Sequence, residues 1–481
     1  MQRQVRMFAL LFFIFSNLSC ATRNRDDSPP GRKVVVAINL DAPLLKMIPR
    51  DFLVLYVYPS FRTETVENDL SRRAGSESQD DVSCYVNSDA DKILGESKLC
   101  FQKFLTEFGH IDYVVPRGDE ENVYLAGKLR SAFSITNGLD ETHASFVTDK
   151  LAMKRQLTRA DPSIKTAKFI EVTANDVRKS FPNDMSKILD KEFGKNWQKV
   201  VLKPASAAGS AGVHVLQNGS NLLEDLRLKY TEDIADSLKL GHLIVEEFVD
   251  GRILRTDGFV RDGKLEVNFV SAYRIPPKDF YRKGDPQLTI SISNPEEKKM
   301  FDEFTQKVVT ALDYKSTGII HLEIIQHPKE GLYFLEMAAR TGGTLFPVLI
   351  DLGFDSDLAY VRSNLLLDYT PDLKPAEFAA VSLFVPKDIP LDTSEIWLDT
   401  LDHKDMTKCR SCRIDISVAP PPAHSYLDVA SNIEIQYFIH RDAEVVVDEA
   451  TGFYKSLKAK VKLKGGKNDG RWMSLTNQQW F

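Results

Sequence analysis

Short apolar runs alternate with amphipathic stretches along the first part of the chain. KVVVAINL (33–40), DFLVLYVY (51–58) and IDYVVP (111–116) have the length of buried strands. Residues 118–133 show helical spacing of apolar positions after an acidic start, and acidic residues favour the amino end of a helix. Strands that alternate with helices predict a small domain built on a parallel sheet.

A second pattern predicts a β-hairpin at residues 318–338. Two apolar runs, GIIHLEII and LYFLEMA, flank the turn-forming HPKEG, which places Glu323 and Glu336 side by side at one end. Paired carboxylates suit Mg²⁺, which completes its shell with phosphate oxygens and water. Arg340 follows with a donor fork that fits phosphate or carboxylate. Taken by itself, the segment is equally compatible with a solvated hairpin that has surface charges.

A lysine precedes a loop of small residues in VVLKPASAAGSAGVHVL (200–216). Lys203 ends the first apolar run, and Gly209, Ser210 and Gly212 lie in the loop that follows. Small residues let backbone N–H groups approach phosphates closely. The segment is not a Walker loop, because no Gly-Lys-Ser/Thr opens a helix after it.

Two further segments complete a resemblance. HLIVEEFVDG (242–251) predicts a buried strand that ends in acidic residues, although an exposed acidic turn has the same pattern, and DKLAMKRQL (149–157) predicts a lysine-bearing helix. In this order, the motifs resemble the ATP-grasp superfamily, in particular its ATP-dependent carboxylate-amine ligases. The resemblance covers about residues 33–368. It implies an α/β (α+β ATP-grasp) fold with an amino-terminal parallel-sheet domain, a two-lobed ATP-grasp domain and a small β-rich carboxyl-terminal domain.

The resemblance also implies the roles of individual residues. Lys150 and Lys203 would contact ATP phosphates, and Glu323 and Glu336 would bind Mg²⁺, with Mn²⁺ as the alternative ion. Arg340 would hold phosphate or an acyl phosphate, so Arg340 and Lys203 are the candidate catalytic residues. The remaining candidates bind ATP through the small-residue loop and through a hinge that pairs with adenine: Gly209, Ser210, Gly212, Glu246, Glu247, Phe248 and Val249.

The implied activity is amide or peptide bond formation from a small carboxylate and an amine. The carboxylate attacks the ATP γ-phosphate to give an acyl phosphate, and the amine then displaces phosphate. Such phosphoryl transfer depends on positioning and charge neutralisation, which agrees with a site of lysine, arginine and metal-binding glutamates. The alternative is a non-catalytic ATP-binding protein with the same fold. The identities of the acid and the amine, and the oligomeric state, stay open.

Two positions depart from the family pattern. Many members have asparagine two residues after the second metal glutamate, where this chain has Ala338. Many also have a ribose-binding glutamate shortly after the hinge glycine, whereas residues 251–254 read Gly-Arg-Ile-Leu. Asp257 is the nearest alternative for the ribose.

The substrate side of the site falls in residues 271–291. Arg274, beside Tyr273, is the candidate for binding a substrate carboxylate, and a surface ion pair is the alternative. His321 alternates onto the same strand face as Glu323, either behind the metal ligand or as an ordinary sheet histidine.

Composition narrows the class of protein. A chain of 481 residues that is 43% hydrophobic and 27% charged is typical of a soluble protein with two or three domains. A net charge of −6, without a basic stripe, argues against a nucleic-acid surface. Five cysteines in so long a chain do not predict a disulfide framework, and the lone CxxC at Cys409 and Cys412 favours two thiols over a zinc half-site.

The amino terminus resembles a secretory signal. Arg3 and Arg6 precede an apolar run at residues 7–15, and Cys20 follows as a lipoprotein-like cleavage position. Export or a membrane tether would separate the chain from cytosolic ATP. Four explanations of this conflict remain open: the segment is a membrane anchor, it targets the chain to a compartment that contains ATP, the true start site is different, or the protein uses an unusual supply of nucleotide.

Four segments are therefore expected along the chain. A leader and linker at 1–32 precede an α/β domain at 33–142, an ATP-grasp domain at 143–368 and a β-rich domain at 369–481.

Overall fold

The computed structural model describes most of the chain after the leader. No helix among the described residues is long and apolar enough to cross a membrane. Ser210 and all but the last residue of the predicted leader and linker lie outside the described part. The described ranges are 32–60, 81–87, 89–173, 183–209, 212–219, 242–274, 287–342, 355–372, 377–384, 395–402, 409–410, 412–415, 432–456, 458–464 and 472–476.

The chain divides into two compact units. The first comprises residues 1–148, 315–318 and 357–370, and the second comprises residues 149–314, 319–356 and 371–481.

The first unit contains a four-stranded parallel sheet with helices, as the alternating pattern predicts. Asp119 caps the third helix by accepting a hydrogen bond from the Asn122 backbone N–H, and Ser134 ends it in a left-handed conformation. The elements are β1 (Val34–Ile38), α1 (Ala42–Met47), β2 (Leu53–Pro59), β3 (Val82–Val86), α2 (Ala90–Phe108), β4 (Tyr113–Pro116), α3 (Glu120–Phe133) and α4 (Glu141–Ser145). The strand order is β3-β2-β1-β4, and both β1 and β2 are buried along their whole length.

A disulfide joins β3 to α2 in this unit. Cys84 and Cys100 are 16 residues apart and both are buried in the core. A closed loop of this size stabilises a fold by about 3 kcal/mol. The expectation of no disulfide framework is therefore wrong for these two cysteines. Cys409 is also disulfide-bonded, so the expectation of a free thiol is wrong for this cysteine, and its sulfur offers no thiolate to zinc.

The second unit contains three sheets. Its elements are α5 (Lys150–Ala160), β5 (Lys165–Thr166), β6 (Phe169–Thr173), α6 (Asn183–Phe193), β7 (Lys199–Pro204), β8 (His214–Gln217), β9 (His242–Glu247), β10 (Arg252–Arg261), β11 (Lys264–Tyr273), β12 (Gln287–Ser291), α7 (Pro295–Ala311), β13 (Gly318–His327), β14 (Gly331–Ala338), α8 (Ser356–Asn364), β15 (Glu377–Phe384), β16 (Glu395–Asp402), β17 (Cys412–Asp415), β18 (Asn432–His440), α9 (Ala443–Ser456), β19 (Lys458–Lys464) and β20 (Trp472–Thr476). Gly318 and most of α8 belong to the first unit.

Two of these sheets position the candidate site. A four-stranded antiparallel sheet has the order β6-β9-β7-β8, and a nine-stranded sheet has the order β17-β18-β15-β12-β11-β10-β13-β14-β5. The third sheet is β16-β19-β20. This mixed architecture, together with the parallel sheet of the first unit, confirms the predicted fold class.

The hairpin predicted at residues 318–338 is formed by β13 and β14. Its antiparallel register places Glu323 opposite Glu336 and His321 opposite Ala338. Opposed residues of an antiparallel pair project from the same face, so these four positions share one face of the sheet.

The carboxyl-terminal strands do not form a separate compact unit. β15 pairs with β12, β18 pairs with β15 and β17 pairs with β18, so these strands extend the nine-stranded sheet. The expected domain boundaries at 142/143 and 368/369 stay predictions.

Candidate functional site

Helix α5 places two lysines one turn apart. Asp149 caps the helix by accepting a hydrogen bond from the Ala152 backbone N–H, so Lys150 is the first helical residue. Residues four apart lie on the same side of a helix, which aligns Lys154 with Lys150. Both lysines are buried.

A buried carboxylate joins Lys154 to Lys203 of β7. Glu246 of β9 places its Oε1 3.0 Å from the Lys154 Nζ and its Oε2 2.8 Å from the Lys203 Nζ. The three side chains are only 0–5% exposed. We call them the Lys154–Glu246–Lys203 cluster. Lys154 was not among the residues predicted from the sequence, although its position four residues after Lys150 indicates that the two lysines share one side of the helix.

Electrostatic interactions within the cluster decide its protonation. Burial by itself raises the pKa of Glu246, but the charges of Lys154 and Lys203 lower that pKa to about 2. Burial also lowers the pKa of both lysines. For Lys203, the charges of Glu246 and Glu336 outweigh this effect of burial, and the pKa is raised overall. The pKa of Lys154 stays lowered in spite of its contact with Glu246.

The low pKa of Glu246 predicts a loss of stability in acid. A carboxylate whose pKa falls from 4.5 to about 2 on folding stabilises the fold above pH 4.5 and loses that contribution as the pH falls toward 2. The contribution is on the order of 3 kcal/mol. We expect the free energy of unfolding, measured by denaturant titration, to fall more steeply across this window in the wild type than in Glu246→Gln. Equal slopes would contradict the assignment, and the exposed Glu303→Gln is the matched control.

The two facing glutamates have different partners. The Glu336 Oε2 lies 3.1 Å from the Lys150 Nζ, and the Glu323 Oε1 accepts a hydrogen bond from the Tyr273 hydroxyl at 3.2 Å. Two carboxylates with lysines nearby fit Mg²⁺ together with phosphate oxygens. Within the described ranges, no group of three or more His, Cys, Asp or Glu side chains could hold a metal ion. Phosphate oxygens and water would therefore have to complete the coordination shell of the ion, as is usual for Mg²⁺.

A buried network lies behind Glu323. The His321 Nε2 is 3.8 Å from the Glu323 Oε1, and the His321 Nδ1 is 3.0 Å from the Asp257 Oδ1. Asp257 also accepts hydrogen bonds from the Gly342 backbone N–H and from the Arg255 guanidinium. This geometry agrees with both interpretations of His321, as a sheet histidine satisfied by Asp257 and as a residue behind Glu323, and a role behind a metal ligand stays a prediction.

The same network rules out Asp257 as the ribose ligand. Its side chain is fully buried, and both carboxylate oxygens are engaged by Arg255, His321 and Gly342. Burial by itself raises the pKa of Asp257, but Arg255 and His321 lower it overall, which keeps the carboxylate charged. The suggestion that Asp257 binds ribose is therefore wrong.

The small-residue loop starts against Lys150. The Lys150 backbone N–H donates to the Ala205 carbonyl, and the Lys150 ammonium donates to the Ala207 carbonyl. Gly209 and Gly212 have φ angles of 60° and 67°, in the left-handed region where glycine is favoured. The phosphate contacts of this loop stay a prediction, and Ser210 lies outside the described residues.

The predicted hinge comprises the last two residues of β9, Glu246 and Glu247, and the two residues after it. The Glu247 backbone N–H donates to the Lys168 carbonyl and the Phe248 backbone N–H donates to the Lys199 carbonyl. Val249 is half-buried. The structure thus places the Glu246 side chain in the interior, while adenine pairing by the hinge backbone stays a prediction.

The two candidate arginines lie at the ends of strands. Arg340 follows β14, is half-buried and donates to the Thr341 carbonyl. Arg274 follows β11, is exposed, and its backbone N–H donates to the Leu288 carbonyl. Their roles toward phosphate and substrate stay predictions.

Part of the chain matches a known protein family. Residues 197–347 match the family described as the ATP-grasp domain. A sequence search finds no match among curated proteins. The family match covers β7 to β14, which contribute Lys203, Glu246 and both facing glutamates.

Solved structures of three enzymes have a similar fold. An L-amino acid ligase from Bacillus licheniformis is 14% identical with a TM-score of 0.58, covering 92% of this chain and 100% of that chain. An N5-carboxyaminoimidazole ribonucleotide synthetase from Thermotoga maritima is 15% identical with a TM-score of 0.54. The match covers 89% of this chain and 98% of that chain. The third structure is the biotin carboxylase domain of a Hydrogenobacter thermophilus 2-oxoglutarate carboxylase, in complex with MgADP. It is 15% identical with a TM-score of 0.57, and the match covers 92% of this chain and 91% of that chain. At these identities the likeness shows the fold.

Proposed function

We propose that this chain, which contains an ATP-grasp domain, is an ATP- and Mg²⁺-dependent ligase that joins a carboxylate to an amine. One observation carries the proposal. Lys150, Lys203, Glu323 and Glu336 come from four different elements and lie together: Glu336 pairs with Lys150 and stands opposite Glu323, and the Lys203 ammonium interacts with the charges of both glutamates. A set of lysines around two facing carboxylates suits a triphosphate and its metal ion.

The residues have separate tasks in the proposed reaction. Lys150 and Lys203 neutralise phosphate charge, and Arg340 holds the phosphate that is transferred to the substrate carboxylate. Glu323 and Glu336 would hold Mg²⁺, which supplies charge neutralisation at the transferring phosphate. The amine then attacks the acyl phosphate and releases phosphate, which forms the C–N bond. No nucleophilic side chain is required, because positioning and electrostatics dominate phosphoryl transfer.

Amino acids are the first substrates to test. The similarity to an L-amino acid ligase supports them, and that support comes from the fold. Arg274, beside Tyr273, is the candidate contact for a substrate carboxylate.

A screen of ADP release tests the function. The full chain is incubated with ATP and Mg²⁺, or Mn²⁺, against pooled amino acids and small carboxylates. We expect one pool to raise ADP release above the rate with ATP alone, and mass spectrometry to detect an amide product. Binding of MgATP without ADP release in any pool would favour the non-catalytic alternative. Absence of both binding and release would overturn the proposal.

For the compartment, we propose that the polypeptide matures in an oxidising environment. The buried Cys84–Cys100 disulfide supports this, since disulfides persist mainly in such compartments. The signal-like leader at residues 1–32 points the same way.

A further inference from the structure

Lys154 is a buried charge that the proposed reaction does not use. Its ammonium lies 3.0 Å from the Glu246 Oε1 and 5.6 Å from the centre of the Phe334 ring, and its side chain has no solvent exposure. Lys150, one turn earlier on α5, pairs with Glu336 instead. Lys154 is therefore the lysine of α5 that Glu246 contacts.

The cluster has two positive charges for one carboxylate. Lys203 shares Glu246 with Lys154, because each Glu246 oxygen faces a different ammonium. When Lys203 neutralises a phosphate, part of its interaction with Glu246 is lost. A buried carboxylate without a counter-ion is strongly unfavourable, and Glu246 would also repel the phosphate beside it.

We propose that Lys154 is the permanent counter-ion of Glu246 and thereby makes Lys203 available to the nucleotide phosphates. Lys154 is thus a positioning residue for ATP binding, which acts through Glu246 and touches neither substrate nor metal. This inference rests on the proposed function, because it requires that Lys203 contacts ATP.

A double-mutant cycle tests the proposal. Calorimetric titration with a non-hydrolysable ATP analogue and Mg²⁺ gives the dissociation constant of the full chain and of three variants: Lys154→Gln, Glu246→Gln and the double variant. We expect Lys154→Gln to raise the dissociation constant at least about tenfold, since Glu246 then retains Lys203 as its sole counter-ion. Glu246→Gln should bind more tightly than the wild type, because Lys203 is no longer shared.

The double variant separates positioning from packing. Without the Glu246 carboxylate, Lys203 is not held back from the phosphates, so Lys154→Gln should have little effect on the dissociation constant in the Glu246→Gln background. A general loss of packing would weaken binding equally in both backgrounds and would overturn the proposal. Wild-type affinity in Lys154→Gln would also overturn it.

Three further outcomes are decisive. If Lys154→Gln does not fold, Glu246→Gln alone decides, because binding weaker than the wild type contradicts competition for Lys203. If the wild type itself does not bind the analogue, the proposed function fails together with this inference. A wild type that binds, beside variants without the expected coupling, refutes the role of Lys154 and leaves the proposed function in place.

Discussion

A Glu336→Gln variant is expected to lose ADP formation while keeping its fold. Glu336 faces Glu323 across the hairpin and pairs with Lys150, so its replacement removes one of the two carboxylates that would hold Mg²⁺. The Glu336 side chain is 25% exposed, and the Lys150 ammonium also donates to the Ala207 carbonyl, so it keeps a partner after the substitution. ADP release under saturating substrate measures the loss, and circular dichroism and the thermal midpoint report the fold.

The matched control for this variant is Glu303→Gln on the exposed side of α7. Glu303 pairs at 3.8 Å with Lys299 on the surface, and such pairs contribute little to stability. The control should retain full turnover. Wild-type turnover in Glu336→Gln would remove Glu336 from the metal site.

A Lys203→Met variant is expected to lower kcat by at least about a hundredfold, the usual effect of losing an electrostatic contact to the transition state. The buried Lys203 ammonium lies among the charges of Glu246, Glu336 and Glu323. Lys154 remains to neutralise Glu246, so the fold should survive the substitution. Steady-state kinetics with varied ATP measure the effect, and thermal unfolding shows whether the variant is folded.

Lys191→Met is the control for Lys203→Met, because Lys191 is 81% exposed on α6. It should match the wild type in both kcat and the KM for ATP. Unchanged kinetics in Lys203→Met would mean that Lys203 does not contact the nucleotide, and would contradict the assigned role.

Local patterns were sufficient to predict the hairpin and the first sheet. Two apolar runs with a turn between them determine the register of β13 and β14, and this register is what brings Glu323 and Glu336 together. The alternation of strands and helices likewise predicted the parallel sheet, because each element is defined by its own periodicity.

Features that depend on distant parts of the chain could not be predicted in this way. Strand β9 was correctly expected to be buried, but its pattern does not show that Glu246 turns inward to join lysines from α5 and β7. Asp257 similarly meets His321, 64 residues away, inside the sheet. The pairing of β15 with β12 merges the carboxyl-terminal strands with the nine-stranded sheet, and no local pattern specifies which sheet a strand joins.

The link between Cys84 and Cys100 bears on how the protein should be produced. Expression in a reducing cytosol would yield two buried thiols in place of the covalent bond between β3 and α2. Secretion, or an oxidising host strain, would supply the bonded form. Counting free thiols by alkylation under denaturing conditions distinguishes the two preparations, so each batch can be verified before its activity is measured.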